Sequence, residues 1–350
     1  MISAAGVLDE AYERLHHTGP EWGGNLSNHG PMAAEVLARR DHADQVPTWV
    51  DRYIGRLDEL PAPAEPVTDH NWRAALGDRV GDWVVYLTGQ MAERPWRDVL
   101  ATWWPRLLPG IAAGATHGVI RTGHAVRTLL AGDESPAATA ELAHGLAFWA
   151  ARSRQVPGVT APSGQLGPGS ALDAVPRIAE QAGPIRLRLG RLADLGGWTE
   201  SVAALRPAAG PDQARDLLAE LVTAATLRYL SYGHGSPVLL VHTATAPNAV
   251  LHTLPALPQE LWIPSLTAAW AASAALIATY APTAGRPRDQ MPAAPTADDP
   301  VSYILDRACD HGDEHVIKFS DTAAEAYARS GNPDTLAAAI LVGQLIESPR

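Results

Sequence analysis

Four separated histidines of this chain are candidates for inward-facing positions in a helical fold, and the alternative for His29 alone is a capping or turn role. His29 precedes a predicted helix that begins at Pro31, and His117 is surrounded by alanines and glycines. His242 follows four apolar residues, and His315 begins a predicted helix near the end of the chain. A buried imidazole needs a hydrogen-bond or metal partner. The four histidines together predict a metal centre built from facing helices, although imidazole alone does not distinguish Fe, Zn, Cu and Ni.

Lys318 is the only lysine in a chain with 27 Lys and Arg residues. Arginine stays protonated at any workable pH, whereas a buried lysine can become a neutral, nucleophilic amine. Lys318 follows His315 by three residues, so both side chains share one face of the predicted helix. The spacing favours a role for the amine beside the imidazole, and the alternative is chance survival of one lysine in an arginine-rich chain.

Two further groups lie on the helix predicted around His117. Arg121 and His124 follow it by four and seven residues, which puts all three side chains on one helix face. The small residues that flank them predict close approach of another helix or of a ligand.

A zinc pair formed by His311 and His315 is an alternative, because two histidines four residues apart can chelate a metal on a helix. Gly312 and the neighbouring acidic residues instead predict a helix that starts at Asp313 or Glu314, which leaves His311 outside it. No nucleophile elbow, Walker loop or His-Glu-x-x-His motif occurs in the sequence.

The composition limits the classes of function. An apolar fraction of 46% in 350 residues predicts a globular protein, and a net charge of −11 argues against nucleic-acid binding. The sole cysteine, Cys309, excludes a disulfide within the chain. The first residues have no signal-peptide pattern, and the longest apolar run, 261–281, is interrupted by polar residues and Pro264. We therefore expect a cytoplasmic protein with no membrane span.

Alanine- and leucine-rich segments of 3.6-residue periodicity dominate, so the predicted fold class is mainly α. We expect one large bundle-like domain over 1–350, with Pro/Gly-rich loops at 156–169 and 282–300 as candidate lids. Eleven tryptophans also favour a pocket for a planar ligand, or an aromatic core. Helices are predicted at 3–16, 31–40, 46–58, 72–76, 80–93, 95–131 with a break near 109–110, 136–153, 170–182, 185–193, 198–205, 211–229, 237–252, 258–280, 300–309, 315–329 and 333–347.

Four spaced motifs, taken in order, resemble the questin oxidase-like family: residues 27–33, residues 116–121, His242-Thr243-Ala244-Thr245 and His315-Val316-Ile317-Lys318. The resemblance implies an oxygen-using enzyme of secondary metabolism. Members of the family open a ring of anthraquinone-type aromatic polyketides, either as Baeyer–Villiger-type monooxygenases or as dioxygenases.

The resemblance also implies a mononuclear non-haem Fe(II) site with a lysine carboxylated on its amine. Carried over motif by motif, the metal ligands are His29, His117, His242, His315 and Lys318. Arg121 and His124 match no ligand position, and they are expected beside the ligands or facing the substrate as catalytic groups.

The expected partners are a small aromatic substrate and O2, with the chain acting as a monomer or a homodimer. One alternative is a metal-independent Baeyer–Villiger oxidase that uses NADPH. Another is a helical protein that binds a planar ligand without catalysis, and a zinc hydrolase that uses His311 and His315 is a third.

Overall fold

The computed structural model of the chain describes residues 3–24 and 26–349, and these form two compact units. Unit 1 consists of the residues up to Gln155 together with His252–Pro258. Unit 2 consists of Val156–Leu251 and the residues from Gln259 onward. The described residues are mainly helical, which confirms the predicted fold class. A single domain over 1–350 stays a prediction, and its ends at 1–2 and 350 lie outside the described residues.

The described residues of unit 1 form eight α-helices and one short hairpin. Strands β1 (Glu21–Trp22) and β2 (Leu26–Ser27) pair antiparallel just before the second helix. The helices are α1 (Ala4–Leu15), α2 (Gly30–Arg39), α3 (Val46–Ile54), α4 (Trp72–Ala75), α5 (Val80–Glu93), α6 (Trp96–Leu107), α7 (His117–Leu130) and α8 (Pro136–Ala151).

Unit 2 holds the remaining helices, and most of one that ends in the 252–258 segment. They are α9 (Pro168–Ala174), α10 (Ile185–Gly190), α11 (Trp198–Ala203), α12 (Pro211–Tyr232), α13 (Pro237–Leu240), α14 (His242–Thr253), α15 (Trp262–Tyr280), α16 (Pro300–His311), α17 (Glu314–Ser330) and α18 (Asp334–Leu345).

The helix starts follow from local chemistry. Proline occupies the first turn of α2, α8, α12 and α16, where its missing N–H would have had no partner. Ser135 caps α8 by accepting a hydrogen bond from Ala138 N at 3.0 Å, and Asp313 caps α17 by accepting from His315 N and Val316 N. Gly312, with a φ of 77°, ends α16 in the left-handed conformation, so the turn between α16 and α17 requires glycine.

Helices α7 and α8 pack closely in the core of unit 1 because Gly118 has no side chain. A Cβ atom on Gly118 would lie 2.6 Å from Trp149 Cα and 2.7 Å from Trp149 Cβ. Small residues were predicted to permit close approach of a helix or a ligand, and at Gly118 the close neighbour is helix α8. This contact fixes the first turns of α7.

Four of the most deeply buried tryptophans are core residues, and three of them, Trp83, Trp149 and Trp270, donate their indole N–H to backbone carbonyls. Trp83 and Trp103 meet edge to face with ring centres 5.3 Å apart in unit 1. Trp149 donates to Gly110 O at 3.1 Å, and Trp270 donates to Val202 O at 2.8 Å. These contacts favour the aromatic-core interpretation of the tryptophan count for these four residues.

Two predicted helices were wrong. The helix predicted at 170–182 is α9, which ends at Ala174 because Pro176 disfavours helical backbone at Val175, where ψ is 124°. The helix predicted at 237–252 is interrupted at Val241, between α13 and α14. The predicted break near 109–110 is confirmed, since α6 ends at Leu107 and α7 begins at His117.

The two candidate lid segments contain little regular structure. No helix lies within 156–167, and the only helical element described within 282–299 is the 3-10 turn Arg288–Gln290. Their action as lids stays a prediction.

One described helical segment, Gln259–Tyr280, is long and apolar enough to cross a membrane. However, 72% of its most apolar window is buried inside the protein, as in the core helix of a soluble protein. The prediction of a buried helix at 261–281 is consistent with this burial, and the cytoplasmic location stays a prediction.

Replacing Gly118 with Ala should lower the free energy of unfolding by about 2 kcal/mol, because the new methyl group overlaps the Trp149 backbone and forces α7 away from α8. Gly89→Ala in α5 is the matched control. No atom lies within 4 Å of a Cβ at Gly89, so this change should raise stability by about 0.5–1 kcal/mol. Urea unfolding of both variants checks the difference, and equal stabilities would contradict the packing described for α7 and α8.

Candidate metal centre

The first histidine pair joins the starts of α2 and α7 in unit 1. His29 is the residue before α2, and His117 is the first residue of α7. Both side chains are buried, and their Nε2 atoms lie 2.6 Å apart. Two nitrogens that bind one ion at about 2.1 Å are about 3.0–3.4 Å apart, so a small movement would place both on the same ion.

His117 is aimed by an unusual turn. Gly114, Ala115 and Thr116 all have positive φ angles, of 50°, 58° and 73°. This conformation costs a non-glycine residue about 1–2 kcal/mol. The turn brings Gly114 O against Nδ1 of His117, and a carbonyl can only accept, so Nδ1–H is the donor. In its neutral form, this ring presents the lone pair of its Nε2 towards His29.

The second pair belongs to unit 2, where His242 begins α14 and His315 is the second residue of α17. Their rings meet edge to face with centres 5.8 Å apart. His242 Nδ1 lies 3.2 Å from Leu239 O and must donate to it, which leaves the lone pair on Nε2. His242 is fully buried, as its apolar flank predicts.

Pro247 lies inside α14 without ending it. Its missing N–H leaves Thr243 O without its helical partner, and the Ser273 hydroxyl donates to that oxygen at 2.8 Å. The helix that begins at His242 thus continues over Pro247.

Asp313 orients His315. Its Oδ1 accepts from His315 N at 2.8 Å and lies 3.4 Å from His315 Nδ1. Burial alone would raise the pKa of Asp313, but the hydrogen bond and charge of His315 outweigh it and lower that pKa.

The four predicted ligand histidines come together. One ring nitrogen from each of His29, His117, His242 and His315 lies within 4.8 Å of the others, and this buried group could hold a metal ion. A second candidate group contains Asp313, Glu314 and His315. Asp313 already caps α17, so its carboxylate has backbone partners.

Lys318 lies one turn after His315 on α17 and is 1% exposed. Its Nζ has no hydrogen-bond partner among the residues that the structure describes. Burial lowers the pKa of Lys318 to about 7, although the charges of Glu314 and Asp313 raise it. A buried amine that is half neutral near neutral pH and has no partner fits a modified or ligand-binding lysine.

His311 lies outside the helix of His315 and Lys318, as predicted. It is the last residue of α16, where its Nε2 donates to Ile346 O at 3.0 Å. Its Nδ1 lies 3.4 Å from Asp313 N, which donates to it. Both ring nitrogens thus have protein partners, and this geometry does not support a zinc pair of His311 with His315.

Arg121 and His124 are buried on α7, and each contacts a carboxylate that the sequence analysis missed. Arg121 donates to Glu141 through Nε at 2.6 Å and Nη2 at 2.8 Å. His124 Nδ1 lies 2.8 Å from Glu35 Oε2, and Arg127 Nε donates to Glu35 Oε1 at 2.8 Å. A catalytic role for Arg121 and His124 stays a prediction.

Glu35 and Glu141 are both almost completely buried. Burial alone would raise the pKa of each carboxyl, but the facing arginine and histidine outweigh it and lower both pKa values to about 2. The sequence feature that could have pointed to Glu35 and Glu141 is an acidic residue within an alanine-rich helical segment, because an isolated buried charge requires a partner.

His144 lies beside the Glu141 cluster. Its ring stacks on His16 of α1 with centres 4.3 Å apart, and His16 Nε2 lies 3.0 Å from Glu141 Oε2. Burial and then the charges of His16 and Arg121 lower the pKa of His144 to about 3, while Glu141 opposes them. The ring is therefore neutral in the folded protein at any pH near neutrality.

Comparison with known proteins identifies one family. A sequence model described as Questin oxidase-like matches residues 39–322, which include His117, His242, His315 and Lys318. His29 lies ten residues before the matched stretch. No curated protein and no solved structure matches the chain.

The metal-free protein should lose stability as the pH falls from 6.5 towards 5, because His144 takes up its proton only when the chain unfolds. The folded pKa of His144 is about 3, below the unfolded value of 6.5. Its contribution to the free energy of unfolding is therefore complete above pH 6.5, and the free energy falls by about 1.4 kcal/mol per pH unit below it. His144→Gln should reduce the slope by that amount in urea unfolding. An unchanged slope would contradict a neutral buried imidazole.

Proposed function

Because the chain belongs to the questin oxidase-like family, we propose that it is an oxygenase that cleaves a ring of an anthraquinone-type polyketide with O2 at a mononuclear non-haem iron. The family is one of oxidases, and the chain is accordingly an oxidoreductase. The observation that supports the metal is the buried group of four histidines with ring nitrogens within 4.8 Å of one another.

The donor set fits a divalent first-row metal. His117 and His242 each have Nδ1 hydrogen-bonded to a backbone carbonyl oxygen, so that Nε2 is the available ligand atom. These oxygens fix the ring orientation and raise the basicity of the ligand nitrogen. Imidazole suits iron and zinc alike, but a metal that takes part in oxidase chemistry must be redox-active, which excludes zinc and is compatible with iron. When bound, iron would supply the one-electron and O2 chemistry that side chains lack.

Lys318 is proposed as the fifth donor, in carboxylated form. Its neutral amine would add to the carbon of CO2 and lose one proton, giving a carbamate with an anionic oxygen at the end of the side chain. The buried Nζ has no hydrogen-bond partner in the described part of the chain, and a carbamate oxygen bound to a cation would satisfy this position. Glu314, one turn earlier on α17, is the competing anionic donor.

The protein's other task would be to keep bulk water from the reacting centre and to orient the substrate. The four histidines are each at most 7% exposed, so the donors lie in a region of low polarity. Arg121 and His124 are proposed to act beside this region, and their glutamate partners hold them in one orientation. The proposed partners are a planar hydroxylated aromatic substrate, in hydroquinone or phenolate form, and O2.

Oxygen consumption tests the proposed function. Protein loaded with iron under nitrogen is mixed with a panel of hydroxylated anthraquinones and their reduced hydroquinones, and O2 uptake is followed with an electrode. We expect substrate-dependent uptake and a ring-opened product, and no uptake with the zinc-loaded protein, since zinc has no redox chemistry.

Mass spectrometry of the product formed under ¹⁸O2 separates the two oxygenase types, because a dioxygenase incorporates two labelled atoms and a monooxygenase one. Turnover by the metal-free protein with NADPH would overturn the iron assignment and support a metal-independent Baeyer–Villiger oxidase. Binding of the panel without consumption of O2 would instead indicate a ligand-binding protein.

Carboxylation of Lys318, the only lysine of the chain, can be tested by isotope labelling and metal binding. Protein incubated with ¹³C-bicarbonate should show a carbamate carbon signal by NMR that is absent from Lys318→Met, a variant of similar length. Metal affinity should rise with bicarbonate in the natural protein, and Lys318→Arg should bind metal at least tenfold more weakly with no bicarbonate response. Full metal affinity in Lys318→Arg, with loss of affinity in Glu314→Gln, would show that Glu314 is the anionic donor instead.

A further inference from the structure

Each histidine pair lies at the start of two helices that meet again farther along. In unit 1, Glu35 follows His29 by six residues, and His124 and Arg127 follow His117 by seven and ten. Glu35 of α2 contacts both residues of α7. At a rise of 1.5 Å per residue, this second contact lies about 9–15 Å along the helices from the histidine pair.

Unit 2 repeats this spacing. Asn248 follows His242 by six residues, and Thr322 and Glu325 follow His315 by seven and ten. Asn248 Nδ2 donates to Glu325 Oε2 at 2.9 Å and lies 3.5 Å from Thr322 Oγ1. The side chains differ between the units, but the positions on the two helix pairs are the same.

The contacts are strong enough to set the helix positions. Glu35 is 2% exposed and receives Nε of Arg127 at 2.8 Å, a second and shorter bond from Nη2 of Arg127, and Nδ1 of His124 at 2.8 Å. Asn248, also 2% exposed, accepts from Arg329 Nη2 at 3.1 Å in addition to its bond to Glu325. Charge-assisted bonds of this kind are directional, and breaking them in a buried site leaves polar groups without partners.

We propose that Glu35 and Asn248 are positioning residues for the metal centre, because each fixes the distance and orientation between the two helices that begin at a ligand histidine. This inference rests on the proposed metal site. A helix pair attached only at its start can pivot, whereas a second buried contact prevents the pivot, so the imidazoles keep the separation that one ion requires. Loss of either contact should weaken metal binding even though neither residue touches the metal.

Glu141 provides a matched control in unit 1. Like Glu35, it is almost fully buried, forms two bonds to an arginine of α7 and one contact with a histidine, and has a pKa lowered to about 2 by these partners against its burial. It lies on α8, however, and its histidine partner, His16, follows α1, neither of which bears a ligand histidine. Glu141→Gln should therefore reduce stability as much as Glu35→Gln while leaving metal affinity nearly unchanged.

The test measures Co(II) binding to the full-length protein, since Co(II) is stable in air and its visible spectrum reports coordination geometry. The affinity for Co(II) is determined by competition with a chromophoric chelator for the natural protein, Glu35→Gln, Asn248→Leu and Glu141→Gln. The midpoint of thermal unfolding is recorded for each protein with and without Co(II). A merely structural residue lowers both midpoints together and leaves their difference unchanged.

We expect Glu35→Gln and Asn248→Leu to raise the dissociation constant for Co(II) by 10- to 100-fold, to reduce the Co(II)-induced rise in midpoint and to change the visible spectrum. Glu141→Gln should stay within threefold of the natural protein. If Glu35→Gln does not fold, Asn248→Leu decides the outcome, because it leaves Glu325 and Arg329 to neutralise each other at 3.7 Å.

Equal affinities in the natural protein, Glu35→Gln and Asn248→Leu would overturn the proposal, and so would a loss of affinity in Glu141→Gln as large as that in the other variants. Failure of the natural protein to bind Co(II) at all would instead refute the metal site on which the proposed function depends.

Discussion

The proposed site depends on four imidazoles that are buried away from water. His29 and His117 have their Nε2 atoms 2.6 Å apart, and Gly114 O keeps the proton of His117 on the opposite side of its ring. Two lone pairs at this distance repel unless a proton or a cation lies between them. A proton on His29 Nε2 makes the contact an ordinary hydrogen bond, and the proposed metal would take the place of that proton.

Helix α7 begins at His117, and its contacts within unit 1 hold this histidine in place. A left-handed turn at Ala115 and Thr116 begins it, Gly118 lets it pack against α8, and Glu35 pairs with its Arg127. Backbone strain and buried charges both destabilise a fold when they are not compensated, and they persist where the surroundings determine the conformation. Their concentration on one helix fits a helix that must present His117 in one orientation.

Much of the helical architecture was readable from local signals, because proline in the first turn, capping side chains and glycine at the ends act within a few residues. The error at Ser170 to Ala182 arose from giving periodicity more weight than Pro176. The assignment of the four histidines as metal ligands stays a prediction from the family resemblance, but their burial was predictable from the sequence around them. Glu35 was not, because its partner Arg127 is 92 residues away, and only the tertiary structure brings a buried charge and its counter-charge together.

Elemental mass spectrometry of protein purified without oxygen and without a histidine tag tests the central claim most directly. The account predicts about one iron per chain in the natural protein, and almost none when His117 or His242 is replaced with alanine in a variant that remains folded by circular dichroism. No transition metal in the natural protein, even after reconstitution with Fe(II), would contradict a four-histidine metal centre. Retention of a full equivalent of iron in both variants would contradict it equally.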